Sequence, residues 1–254
     1  MTDSADGKGR TLWDILTGKN KKDTTPVEMK YHNPLGLKLG QIIEFDAVPE
    51  IQGIGFTVEK IVVYTTHAGG NKFFHVDYRV KGISTSKPKP IHLILRVLDD
   101  EDAVNEIGCK LQLLHTYNEM LYDQGVKDLC NANGDHDDTD DPNEVTFKIN
   151  YDEDKKQMDT PWKFWRIGGQ DLTAYKATTT TLERDKSKAQ TDDPNDSIDV
   201  TSGHVTYWDF SRITEDAGDQ DVTEFFTVEM NTDAKGYLTM LRGPEAQAFQ
   251  VRVI

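Results

Sequence analysis

The sequence predicts an α+β protein that is predominantly antiparallel β. Apolar and polar residues alternate over several short segments separated by glycine, which is the pattern of strands joined by tight turns. Residues 101–125 instead carry an apolar residue every three or four positions, the pattern of one apolar helical face. We therefore expect two β-rich stretches, about 27–98 and 145–254, flanking one central amphipathic helix, with a short N-terminal helix before them.

The N-terminal region is predicted to be disordered over residues 1–10 and helical immediately afterwards. Thr11 to Asp14 matches the Ser/Thr-x-x-Asp/Glu capping pattern, and Gly18 is suited to end the helix. Trp13 lies within this helix. It is a candidate for contact with a partner, and the alternative is that it packs on the protein's own core.

The first β-rich stretch contains a predicted hairpin. Its strands are Phe56–Tyr64 and Phe74–Val80, and the pair Gly69-Gly70 can form the turn because glycine tolerates positive φ. Alternation predicts that the apolar residues of the second strand face the core: Phe74, Val76, Tyr78 and Val80. It predicts that the polar residues between them face solvent: His75, Asp77 and Arg79.

The central helix is predicted to begin at the acidic run Asp99–Asp102, because carboxylates are favoured at a helix N-terminus, and to end near Gly125. Its apolar face comprises Val104, Ile107, Leu111, Leu114, Tyr117 and Leu121. We expect residues 11–254 to form one β-rich globular unit, and two lobes joined by this helix are the alternative.

The second β-rich stretch begins with predicted strands at Val145–Tyr151 and Trp162–Ile167. A hydrophilic segment, residues 183–203, is predicted to be a long loop, which can act as a lid or be a tolerated insertion. Four further strands are predicted after it: Val205–Ile213, Glu224–Met230, Tyr237–Arg242 and Phe249–Ile254.

The composition limits the classes of function. The net charge is −15, from 44 acidic and 29 basic residues, and such a surface repels the phosphates of DNA and RNA. Cys109 and Cys130 are too few for a disulfide framework. There is no signal-like N-terminus and no apolar run near the roughly 20 residues of a membrane helix. We expect a cytoplasmic protein without a transmembrane segment.

An acidic loop at residues 131–144 resembles a calcium-binding loop in its spacing. The candidate oxygen ligands fall at Asn133, Asp135, Asp137, Thr139, Asp141 and Glu144. The sixth position, however, is Asp138, where the sharp turn of an EF-hand requires glycine. The sequence therefore predicts no cofactor, with calcium as the alternative.

Zinc binding is not favoured by the cysteine and histidine positions. Cys109 and Cys130 each precede a histidine, His115 and His136, by six residues. Structural zinc sites use shorter gaps, and six residues along a helix would point the two side chains in different directions.

Two aromatic segments containing arginine are candidate binding surfaces, namely Trp162–Arg166 and Tyr207–Arg212. Tryptophan and arginine are enriched where proteins contact partners. The candidate partner-binding residues are Trp13, Trp165, Arg166, Trp208 and Arg212. The alternative is that the tryptophans are buried in the core and the arginines extend from the sheet edge.

Three short segments resemble uncharacterised bacterial proteins, domains of unknown function of the YjfK type. They are Asn33–Gly40, Tyr207–Arg212 and Leu241–Glu245. The resemblance implies an accessory protein associated with membrane-stress components, and it supplies no catalytic residues.

The sequence contains no nucleophile elbow, no zinc-protease motif and no phosphate-binding loop, which argues against an enzyme. We expect a non-enzymatic protein-binding or adaptor module with a protein partner. The first alternative is a hydrolase-type enzyme with an acidic site under the 183–203 loop. Its site would draw on Asp152, Asp154, Asp209 and Arg212. The second alternative is a calcium-stabilised module.

Overall fold

Twelve strands and one short 3₁₀ turn, Val27–Lys30, make up the described part of the chain. The computed structural model describes residues 25–46, 48–49, 51–68, 71–82, 89–99, 109–121, 144–147, 162–167, 174–185, 197–215, 221–231, 237–246 and 250–254. The strands are β1 (Ile42–Phe45), β2 (Phe56–Ala68), β3 (Asn71–Gly82), β4 (Ile91–Asp99), β5 (Cys109–Leu121), β6 (Glu144–Phe147), β7 (Trp162–Arg166), β8 (Tyr175–Arg184), β9 (Ile198–Glu215), β10 (Asp221–Asn231), β11 (Tyr237–Ala246) and β12 (Val251–Val253).

Eight of these strands close into an antiparallel barrel. Their order around the barrel is β2-β3-β4-β5-β11-β10-β9-β8, and β8 pairs with β2 to complete the ring. The remaining strands extend the sheet at two places. β1 pairs with β2 and β12 pairs with β1, while β7 pairs with β9 and β6 pairs with β7. Strands β2 to β4 come from the first β-rich stretch and β8 to β11 from the second, so both stretches build one barrel.

The predicted α+β class is wrong, because the described residues are almost entirely β and the central helix is replaced by β5. Four consecutive residues of β5, Leu111 to Leu114, are buried. Leu111 and Leu113 pack in a core outside the barrel, and Leu114 packs inside it. A strand covered on both faces loses the period-two pattern, and the remaining leucine spacing imitates a helix. Residues 101–108 and 122–125 lie outside the described residues.

The predicted orientation of β3 is correct for its apolar residues, which face a core, and wrong for its polar residues, which were predicted to face solvent. Val76, Tyr78 and Val80 belong to a core on the outside of the barrel, while His75 and Asp77 are buried in its interior. The outer core is covered by the segment before β2, which contributes five buried apolar residues: Leu37, Leu39, Ile43, Phe45 and Ile51. Because this segment shields the outer surface, apolar residues are buried there and the alternating polar residues occupy the barrel interior.

The predicted hairpin is confirmed by the antiparallel pairing of β2 with β3, and the four predicted C-terminal strands correspond to β9, β10, β11 and β12. The predicted loop at 183–203 is too long at both ends. β8 continues to Arg184, and β9 begins at Ile198. β8 was not predicted. Its run of β-branched residues, Thr178–Thr181, was an available signal, because threonine favours strands.

The predicted N-terminal helix and Trp13 lie outside the described residues, as does the predicted disordered segment 1–10. Within the described part of the chain, no helix is long and apolar enough to cross a membrane.

Candidate ligand-binding site

A charged hydrogen-bond network crosses the barrel interior, centred on Arg96 of β4. The Nε and Nη2 atoms of Arg96 donate to the two carboxylate oxygens of Asp77, its neighbour on β3, at 2.7 and 2.9 Å. Nη2 also donates to Oε1 of Glu229 at 2.6 Å, and Nη1 donates to the Thr227 hydroxyl at 3.0 Å. Glu229 and Thr227 belong to β10. The Arg96 side chain therefore links β3 to β10, and these two strands are not adjacent in the barrel.

Thr227 extends the network to a third carboxylate. Its hydroxyl donates to Oδ1 of Asp209 at 2.6 Å, and Nη1 of Arg96 lies 3.6 Å from the same oxygen. Arg96 and Asp77 are fully buried. A buried charge is tolerated when it is paired and hydrogen-bonded, and the fork of the guanidinium meets the Asp77 carboxylate with two parallel bonds.

The three carboxylates of the network differ in their tendency to ionise. Burial alone would raise the pKa of Asp77, but the charge and hydrogen bonds of Arg96 outweigh it, and the pKa is lowered. Burial raises the pKa of both Glu229 and Asp209, and the opposing attraction of Arg96 is too weak to reverse it. Asp77 is therefore the principal anionic partner of Arg96.

Three aromatic side chains lie beside the network. Tyr64 stacks on His75 with ring centroids 4.0 Å apart, and Tyr207 meets His75 edge-on at 5.2 Å. The Tyr64 hydroxyl donates to both carboxylate oxygens of Glu229, at 3.3 and 3.4 Å. Burial, aided by the positive charge of Arg96, lowers the pKa of His75 to about 3, so its imidazole is neutral near pH 7.

Two cavities lie at the end of the barrel where β2 begins and β3 ends. The outer cavity has a volume of about 620 Å³, and the apolar residues among those that line it are Val58, Leu93 and Ile94. The inner cavity has a volume of about 220 Å³ and is bordered largely by polar residues, including Thr179, Thr181, Glu229, Asn231 and Thr239. Lys60 and Arg79 line both cavities. These two cations therefore mark the junction between them.

The local structure of β2 places Lys60 at this junction. Val58 pairs with Val80, and Lys60 then pairs with Arg79, so Glu59 is an extra residue in the ladder. Such a bulge shifts the side chains that follow it to the other face of the strand. Lys60 therefore lies opposite Arg79 on the interior face. Its Nζ is 2.7 Å from Oε2 of Glu183 on β8.

Arg79 has an unused hydrogen-bond donor. Its Nε is buried and has no hydrogen-bond partner among the described residues. Nearly all buried polar groups in proteins are hydrogen-bonded, so this unpaired nitrogen is an exception, and it belongs to a side chain that borders both cavities.

The sequence-predicted binding residues do not form one surface. Trp208 is only 2% exposed and packs in a core outside the barrel, whereas Trp165 is 41% exposed and pairs with Ser211, on the opposite face of the sheet. Arg212 lies on the same face as Trp208, with its Nε 2.5 Å from Oε2 of Glu224. Arg166 is part of β7, but its side chain is not among the described ones.

The predicted metal ligands fall almost wholly outside the described residues. This applies to Asn133, Asp135, Asp137 and Asp141, and for Glu144 only the backbone is described, in β6. Cys109 is buried and His115 is exposed, while Cys130 and His136 are outside. The described residues include no group of three or more histidine, cysteine or acidic side chains that could hold a metal ion.

Of the residues proposed for an acidic catalytic site, only Asp209 and Arg212 are described, and they lie on opposite faces of β9. Asp152 and Asp154 lie outside the described residues. Asp209 belongs to the interior network, whereas Arg212 extends from the other face of β9.

The interior site was not predicted, although the sequence carries two signals of it. Arg96 interrupts the apolar run Ile91–Leu98, and Asp209 interrupts an aromatic strand. A charge inside an otherwise buried strand indicates a paired interior group, because an unpaired one would be too costly.

No model of a known protein family, no curated protein and no solved structure matches this chain. Function is therefore inferred from the site itself, since a fold alone does not specify it. The site offers a polar inner cavity, a more apolar outer cavity and two cations between them. This arrangement suits the binding of a small molecule.

Proposed function

We propose that this protein binds a small organic molecule at the end of the barrel lined by Lys60 and Arg79. The observation that carries the proposal is that the same two side chains border both cavities. One molecule can therefore place one part in the inner cavity and another part in the outer cavity.

The dimensions support ligand binding. Pockets that bind small molecules have volumes of about 300–1,000 Å³ and combine apolar walls with a few placed polar groups. The outer cavity, at about 620 Å³, falls in this range. The closed barrel supports the walls on every side, because each of its eight strands is hydrogen-bonded to two neighbours.

Titration with the uncharged fluorophore N-phenyl-1-naphthylamine tests this proposal, because its emission rises when it enters an apolar site. Thr116 lines the outer cavity, whereas Thr178 is exposed on the outer face of β8 and lines a different cavity, of about 640 Å³. We expect saturable binding to the wild type, weaker binding to Thr116→Phe and unchanged binding to Thr178→Phe. An absence of saturable binding, or equal losses in the two variants, would contradict the proposal.

Protein binding is a second candidate function. Trp165 and Ile213 are 41% and 67% exposed, and they lie on the same face of β7 and β9. An exposed tryptophan beside another apolar side chain is typical of contact surfaces. A partner captured from lysate by the wild type and lost with Trp165→Ala, but retained by Tyr237→Ala, would support it. Equal capture by all three proteins would contradict it.

A further inference from the structure

Resting on the proposed function, we propose that the ligand is an organic acid. In this proposal its carboxylate binds Arg79 and Lys60 in the inner cavity, and its apolar body occupies the outer cavity.

The first support is the donor geometry of Arg79. A guanidinium offers Nε and one Nη in a rigid fork that matches the two oxygens of a carboxylate. Nε of Arg79 is buried and lacks a hydrogen-bond partner among the described residues, while the side chain borders both cavities. A carboxylate at the junction would lie beside this guanidinium, and rotation of the side chain toward the cavity would bring Nε to it.

The second support is the position of Lys60. It lies directly opposite Arg79 in the β2–β3 register, which places the two Cβ atoms about 4.5–5.5 Å apart. Its ion pair with Glu183 is open to solvent, with side-chain exposures of 34% and 44%. The ammonium group can therefore contact a second anion without leaving a buried carboxylate unpaired.

The third support is the state of the interior carboxylates. Glu229 lines the inner cavity, but its oxygens accept hydrogen bonds from Arg96 and Tyr64. Asp77 is held by Arg96, and Asp209 accepts from Thr227. Since all three are engaged by interior donors, they are poorly placed to bind a cationic ligand, and the unused donor belongs to a cation.

The fourth support is the difference between the cavities. The inner cavity, at about 220 Å³, has roughly a third of the volume of the outer one, at about 620 Å³, which suits a head group and a short stem. Its hydroxyl and amide neighbours, Thr179, Thr181, Thr239 and Asn231, are compatible with an anion. The apolar residues that line the outer cavity are Val58, Leu93 and Ile94, and Ile94 belongs to an apolar cluster in the barrel interior.

Displacement of bound N-phenyl-1-naphthylamine by octanoate and by octan-1-ol tests the inference. The two competitors share an eight-carbon chain, and only octanoate carries a charge at neutral pH. We expect octanoate to displace the fluorophore from the wild type at lower concentration. Arg79→Met should weaken octanoate about tenfold or more, the effect of losing a hydrogen bond between charged groups. Octan-1-ol should change less than about twofold.

Three further variants complete the experiment. Arg79→Lys keeps the charge but not the fork, and we expect an intermediate loss of octanoate binding. Lys60→Met should also weaken octanoate selectively, and it decides the result if Arg79→Met does not fold. Lys176→Met removes the same charge from an exposed position on the outer face of β8, and binding should be unchanged.

The outcomes separate the two proposals. If the fluorophore does not bind, the proposed function is wrong. If it binds but octanoate and octan-1-ol compete equally, or if Lys176→Met weakens octanoate as much as Lys60→Met does, the proposed function stands and the assignment of an organic acid is overturned.

Discussion

The buried network provides a matched pair of substitutions, Asp77→Asn and Asp209→Asn, of which only the first should lower the free energy of unfolding. Both remove one carboxylate charge near Arg96 and keep nearly the same shape. Asp77 accepts two hydrogen bonds from Arg96, whereas Asp209 lies 3.6 Å from it and accepts from Thr227. The pKa of Asp77 is lowered mainly by Arg96, and the pKa of Asp209 is raised by burial.

The expected change in the free energy of unfolding follows from the loss of one partner of a buried ion pair. Removing one partner of a buried ion pair costs about 3–5 kcal/mol, because the other charge remains buried. We expect Asp77→Asn to lower the free energy of unfolding by this amount at pH 7. In a protein of this size, that corresponds to a fall in Tm of roughly 6–20 °C. Asp209→Asn should leave the free energy of unfolding unchanged or raise it, because it removes a charge that burial disfavours.

The pH dependence should have opposite signs. The lowered pKa of Asp77 contributes stability that is full above its ordinary value of 3.8 and is lost as the pH falls through the folded-state value. The deficit of Asp77→Asn should therefore shrink below pH 3.8. For Asp209, whose pKa is raised, wild-type stability falls as the pH rises above 3.8. An advantage of Asp209→Asn should appear only above that value.

Urea denaturation followed by tryptophan fluorescence, from about pH 3 to pH 8, measures these differences. Glu119→Gln, at an exposed position on β5, is the control for loss of a negative charge. Equal losses for Asp77→Asn and Asp209→Asn, with parallel pH curves, would refute the reasoning.

Four other substitutions test the packing and the interior. Gly243→Ala should cost about 1–3 kcal/mol by urea denaturation, because a Cβ there would collide with the carbonyl oxygen of Leu113 at the β5–β11 junction. Trp208→Ala should cost about 3–5 kcal/mol and Trp165→Ala less than about 1 kcal/mol, since only Trp208 is buried; equal costs would contradict this. Because the pKa of His75 is lowered to about 3, wild-type stability should fall as the pH drops below 6.5, and His75→Gln should remove that part of the fall, as urea titrations at several pH values would show.

The strands could be predicted where aromatic and β-branched residues cluster or where glycine marks a turn. The hairpin of β2 and β3 and the strand β9 are examples. β5 could not be recognised from periodicity, because Leu111, Leu113 and Leu114 are buried on two different faces. Its misassignment as a helix follows from this physical fact.

The assignment of inside and outside required information that local sequence does not carry. Closure of the barrel depends on the pairing of β2 with β8, in which Tyr64 lies opposite Thr179. Such a contact between residues distant in sequence cannot be inferred from alternation, which only states that two faces differ. The sequence therefore separated His75, Asp77 and Arg79 from their apolar neighbours correctly but placed them on the wrong side.

The candidate site was hidden for the same reason. Lys60 and Arg79 are ordinary charged residues in sequence, and only the bulge at Glu59 and the closure of the barrel bring them to the junction of the cavities. The aromatic segments attracted attention instead, yet Trp208 contributes mainly to packing.

The location of the Arg96 network links stability to binding. An apolar interior of equal volume is often as stable as a buried ion pair, so stability alone does not account for a charged barrel centre. Tyr64 and Glu229 are bonded to each other within the network and also line the inner cavity. Arg96 donates a hydrogen bond to Glu229, and the ring of Tyr64 stacks on His75. Both contacts restrict the side chains that line the cavity. The network therefore fixes the polar side chains on one side of the inner cavity. Because these side chains need no rearrangement, the free-energy cost of ordering the site around the proposed ligand is lower.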